Sequence, residues 1–128
     1  MVKGKKSVLI IEDDALISEA LGEGLKRAEI NVSYAYDGKQ GLKKALAQHP
    51  DLILLDLMMP IMDGHEVLAQ LRKDKWGAKV PVTVLTNVAD NLDIFLVTKH
   101  PHTSYAIKSS MKLEDIVSTV QHRMAKTT

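Results

Sequence analysis

The sequence predicts a doubly wound α/β domain, five βα units in series whose parallel strands are covered by helices on both faces. Two observations predict it. Short apolar, β-branched runs alternate five times with stretches whose apolar residues recur at three- and four-residue spacing, the signatures of buried strands and amphipathic helices. The strand-like runs are also apolar throughout rather than alternating, which marks a sheet buried on both sides.

The first strand is expected over Ser7 to Ile11. Ile17, Ala20, Leu21, Gly24, Leu25 and Ala28 then follow helical spacing, with Glu19, Glu23, Lys26 and Arg27 between them. Asp14 reads as the cap of this helix rather than a ligand. The second strand is "NVSYA" (31–35), and Asp37 with Gln40 three residues later opens a second helix through Leu42, Ala45 and Leu46. "DLILL" (51–55) is the most apolar strand, and Val67, Leu68 and Leu71 mark a helix from Gly64 to Asp74. "VPVTVL" (80–85) is the fourth strand. Asn87 to Lys99 reads as the fourth helix, although "DIFLV" is rich in strand formers. "TSYAI" (103–107) is the fifth strand, and Leu113, Ile116, Val117, Val120 and Met124 mark the last helix.

The 128 residues suit one domain, 1–128, large enough to bury a core without disulfides or a structural metal. Lys plus Arg (17) nearly cancel Asp plus Glu (16), so charge gives no argument for nucleic acid or a membrane as partner. The absence of cysteine excludes thiol catalysis and thiolate zinc sites and suits a reducing compartment. Near the start, only Val8 to Ile11 are continuously apolar, too short for a signal peptide core or a membrane span. A cytoplasmic, untargeted protein is expected. The histidines (49, 65, 100, 102, 122) show no ligand spacing on one helix face, and Gly22-Glu-Gly24 lies inside a helix with Arg27 where a dinucleotide fingerprint needs its third glycine.

In open parallel sheets, ligands bind beyond the carboxyl ends of the strands. Strand one delivers Glu12, Asp13 and Asp14 to that edge, strand three Asp56, strand four Thr86 and Asn87, and strand five Lys108. Carboxylates ~4 Å apart repel by roughly 4 kcal/mol per pair at an effective dielectric near 20, so a cation is required. Mg²⁺ held by carboxylate oxygens, a carbonyl and waters is the simplest answer. Such a set suits phosphoryl transfer, in which the protein positions groups and neutralises charge. Asp56 is the expected nucleophile, giving an acyl phosphate. Asp13 with Glu12, Asp56 and the Met58 carbonyl is the expected metal set, with the Met58 side chain covering it. Thr86 and Lys108 are expected to bond the phosphoryl oxygens.

The pieces "VLIIEDD" (8–14), "PDLILLDLMMPIMDG" (50–64), "PVTVLT" (81–86) and "YAIK" (105–108) occur in an order and spacing that resemble the receiver domain of two-component response regulators, over almost the whole chain. The resemblance implies a flavodoxin-like fold with strand order 2-1-3-4-5. It implies that Asp56 accepts a phosphoryl group from a sensor histidine kinase or phosphotransfer protein, with Mg²⁺ required, and that the domain catalyses its own phosphorylation and dephosphorylation without being an enzyme in the turnover sense. Thr86 and Tyr105 then rearrange together, and helix four, strand five and helix five present the surface for a downstream partner or a second copy. Nucleic-acid contact is expected of no part of this domain.

The chain departs from that pattern at three places. Asn87 stands where the family carries a very small residue, so a narrower path to Asp56 is expected. Ser109 replaces the proline that follows the family's lysine, and a cis bond before a non-proline residue costs about 2.5–4 kcal/mol, so a trans bond is expected. The loop "KHPHTSY" lacks the usual Gly-Ala. Met58 and Val88, at the family's two variable positions beside the pocket, are apolar and give no group to orient water. Two rivals stay open: a degenerate receiver that binds partners regardless of phosphorylation, and an aspartyl-phosphate hydrolase, for which a second acid at position 58 and a cap domain are missing.

Overall fold

The computed structural model describes residues 4–87, 91–108 and 112–125. Its elements run in the order β1 (Ser7–Ile11), α1 (Ala15–Arg27), β2 (Asn31–Ala35), α2 (Gly38–Gln48), β3 (Leu52–Asp56), α3 (Gly64–Lys73), β4 (Val82–Thr86), α4 (Asn91–Thr98), β5 (Thr103–Ile107) and α5 (Leu113–Ala125). The strands form one parallel sheet ordered β2-β1-β3-β4-β5, the doubly wound arrangement expected.

Side-chain alternation along each strand divides the core in two. Leu9, Ile11, Ile53, Leu55, Val82 and Val84 face one side, where α2, α3 and α4 contribute Ala45, Val67, Leu68, Leu71 and Val97. Val8, Ile10, Leu52, Leu54, Leu85 and Ala106 face the other, against Leu21 and Leu25 of α1 and Ile116, Val120 and Met124 of α5. The central strands β3 and β4 are buried throughout, while β2 and β5 are partly exposed because each has a neighbour on one side only.

Helix starts are set by side-chain caps. Asp14 Oδ1 accepts from Leu16 N (3.0 Å) and Ile17 N (3.2 Å), and Asp37 Oδ1 accepts from Gln40 N (2.7 Å), so Asp14 does the capping work expected of it. Boundaries shift slightly from the sequence reading. β3 extends to Asp56, which pairs with Leu85, and β4 begins at Val82, after Pro81. α4 begins at Asn91, and Asn87 is a bend. Val88 and the bond into Ser109 lie outside the described residues. Among those described, no helix is long and apolar enough to cross a membrane.

At the sheet edge formed by the strand N-termini, Arg72 ties three segments together. Its Nη1 donates to Gly77 O and Val80 O (2.7 Å each), and its Nη2 to His102 O (3.1 Å) and Thr103 Oγ1 (2.8 Å). Desolvation by burial lowers its pKa to about 10.

Candidate functional site

The strand order places β1 beside β3 at the centre of the sheet, so their C-terminal ends deliver acids to one spot. One oxygen from each of Glu12, Asp13 and Asp56 lies within 4.8 Å of the others. Glu12 is 1% exposed and Asp56 4%, while Asp13 is exposed. Such burial is tolerable only because the carboxylates have partners. Glu12 Oε1 accepts from Lys108 Nζ, and its Oε2 accepts from Asp14 N at 3.2 Å. Asp56 Oδ1 accepts from Met58 N at 3.3 Å and lies 3.4 Å from Lys108 Nζ.

Desolvation raises the Glu12 carboxyl from 4.5 to about 7; the neighbouring Asp56 adds to the rise, and Lys108 and the Asp14 N–H oppose it. At Lys108 desolvation acts downward, but the Glu12 hydrogen bond and the fields of Asp56 and Glu12 outweigh it and hold the ammonium above its ordinary value. Glu12 and Asp56 thus share one lysine, with the Asp13 carboxylate beside them.

The loop after β3 is held against the site by a close backbone approach. Gly64 N donates to Leu57 O (2.9 Å), and a Cβ at position 64 would stand 2.4 Å from Asp56 O and 2.6 Å from Leu57 Cα. Only glycine fits there without moving the strand end that carries Asp56.

Of the residues singled out in the sequence, Glu12, Asp13, Asp56 and Lys108 converge. Thr86 is buried at the end of β4, one residue beyond the partner of Asp56. Register places Thr86 opposite Ile107 and Val84 opposite Tyr105, so Thr86 and Tyr105 share the sheet face that carries α4, two residues apart along the ladder. Tyr105 is 39% exposed. The Met58 side chain, expected to cover the acids, is 77% exposed instead. Asn87 is exposed and lines, with Lys108, Ile17, Leu21 and Ile116, an apolar cavity of about 350 Å³ between α1 and α5. Sequence reasoning missed the Glu12–Lys108 pair, the Met58 N–H to Asp56 bond and the role of Gly64; the glycine that follows the helix-capping Asp63 was the one signal available for the last.

The response regulator receiver domain model matches residues 8–121. The DNA-binding dual master transcriptional regulator RpaA of Synechocystis sp. is 44% identical over 79 residues, 62% of this chain and 33% of that protein. The DNA-binding response regulator MtrA of Mycobacterium tuberculosis is 32% identical over 122 residues, 95% of this chain and 52% of that protein. The chain therefore spans about half or less of these relatives' length. Among solved structures, the receiver domain of Francisella response regulator 1452 has a TM-score of 0.87 at 25% identity and covers 97% of this chain and 100% of that one. Chemotaxis protein CheY4 of Vibrio cholerae has a TM-score of 0.86 at 25% identity, covering 93% and 98%.

Proposed function

Because this chain belongs to the response regulator receiver domain family, we propose that it is a phosphorylation-dependent signalling switch that accepts a phosphoryl group on Asp56. The observation that carries the reading is the meeting of the Glu12, Asp13 and Asp56 oxygens within 4.8 Å, with Lys108 Nζ 3.4 Å from Asp56. The all-oxygen donor set fits Mg²⁺. Glu12, Asp13, Asp56 and the Met58 carbonyl would hold the ion, which when bound neutralises charge on the phosphoryl oxygens.

A carboxylate oxygen of Asp56 attacks phosphorus, and the bond from phosphorus to the imidazole nitrogen of a histidine kinase or phosphotransfer protein breaks, leaving an acyl phosphate. Lys108, already within reach of Asp56, turns to the new phosphoryl oxygens, and the Thr86 hydroxyl donates to them. The Met58 N–H keeps the nucleophile oriented. Movement of Thr86 vacates space toward Tyr105 on the same sheet face, and α4, β5 and α5 carry the change to a downstream partner or a second copy. Such coupling is worth about 1–3 kcal/mol. Hydrolysis is slow, because Met58 and Val88 present no group to orient water; Met58→Asn or Val88→Glu should speed phosphoryl loss, and an unchanged decay would refute this. A cytoplasmic location suits a kinase partner, and DNA contact, where the longer relatives make it, belongs outside this domain.

Intact-mass measurement after incubation with acetyl phosphate and Mg²⁺ tests the reading. One added phosphoryl group, abolished by Asp56→Asn, is expected. No addition would favour a phosphorylation-independent binding module, and steady phosphate release without phosphoprotein would favour a hydrolase.

A further inference from the structure

At the sheet edge opposite the acids lies a cleft of about 560 Å³ that the proposed switch does not use. One wall is an aromatic stack: the His49 ring lies 4.2 Å from that of Trp76, with the planes 7° apart. The fold fixes both rings. His49 caps the end of α2 in the left-handed backbone conformation (φ 50°, ψ 61°), and Trp76 packs against the core beneath α3. Trp76 is half-buried and His49 exposed, and the indole covers one face of the imidazole.

The same cleft is lined by Lys75, Lys79 and His102. Neither lysine makes an ion pair among the described residues. The nearby acids are directed elsewhere: Asp51 Oδ2 accepts from Ser7 N (2.7 Å) and Asp74 Oδ2 from Gly77 N (2.8 Å). Arg72, just behind the cleft, bonds only to neutral oxygens, two of them on the cleft residues Val80 and His102. A cleft of small-ligand size therefore combines a ring-stacking surface with unpaired cations.

We propose that this cleft binds a nucleotide, with the base stacked on the exposed His49 ring and the phosphates held by Lys75 and Lys79. Lysine suits phosphate as a point charge, and an aromatic plane accepts any base. An acidic peptide would satisfy the lysines but bring no ring to extend the stack.

Trp76 is the only tryptophan in the chain, so its fluorescence reports on the cleft. Titration with ADP and with GDP in EDTA, which keeps divalent ions from the acidic pocket, should give saturable quenching. The double variant Lys75→Ala/Lys79→Ala should weaken binding at least tenfold, and so should His49→Asn, which preserves a residue at ease in the left-handed cap while removing the ring. Asp56→Asn should bind like the parent, and amide shifts should concentrate at His49, Asp51, residues 75–80 and His102. The proposal is overturned by an absence of saturable quenching, by shifts confined to the acidic pocket, or by pyrophosphate or polyglutamate binding as tightly as the nucleotide.

Discussion

Glu12 carries the largest electrostatic cost in the chain's candidate site, because burial lifts its carboxyl from 4.5 to about 7. Below pH 4.5 the group is protonated in folded and unfolded chains alike. As pH rises from 4.5 to about 7 the unfolded chain gives up its proton first, so stability falls, and above that window a penalty of about 3 kcal/mol stands in full. Glu12→Gln should therefore raise the urea midpoint at pH 8 in EDTA and do so much less at pH 5; an equal gain at both would contradict the assignment. If Mg²⁺ binds as proposed, it would displace that proton, and its affinity should fall about tenfold per unit as pH drops below about 7, which calorimetry can check. Gly64→Ala drives a Cβ to 2.4 Å from Asp56 O, and should cost about 1–3 kcal/mol in urea denaturation while lowering phosphorylation stoichiometry. At this scale Asp56 was legible, since a carboxylate ending an apolar run needs a reason. The Glu12–Lys108 pair was not, because it joins residues 96 apart and exists only once the strand order is known.

Elements were legible where period and cap agreed. α1 and α2 start at acids whose side chains accept from the first helical N–H groups, and Asp14→Ala should cost about 1 kcal/mol while leaving Mg²⁺ affinity unchanged; a loss of metal affinity would mark Asp14 as a ligand instead. α4 was the hardest to bound, since "DIFLV" has strand propensity, and the burial of Val97 in the core on that side of the sheet appears only once the chain is folded. The Arg72 clasp was invisible in sequence: a lysine would have read the same. Arg72→Lys keeps charge but loses the fork that reaches from α3 to four oxygens on two other segments. It should destabilise the chain by about 1.5–3 kcal/mol, measurable as a lower urea midpoint.

For the whole molecule, the sheet order determines what the chain can do. Placing β1 and β3 side by side at the centre brings Glu12 and Asp13 to Asp56, and adding β4 and β5 on one flank brings Thr86 and Lys108 to the same edge. On the proposed reading, a change of charge at Asp56 would pass to the flank of α4, β5 and α5, whose strand β5 is partly exposed while β3 and β4 are buried throughout. Fold class was readable from alternation alone, whereas the convergence of acids required the order in which strands lie. The most direct test of the account treats the chain with acetyl phosphate and Mg²⁺, reduces any acyl phosphate with borohydride, and maps the peptides by mass. The account predicts a single converted residue, Asp56, that disappears when EDTA replaces the ion; conversion at Asp13 or Glu12, or none in a folded chain, would contradict it.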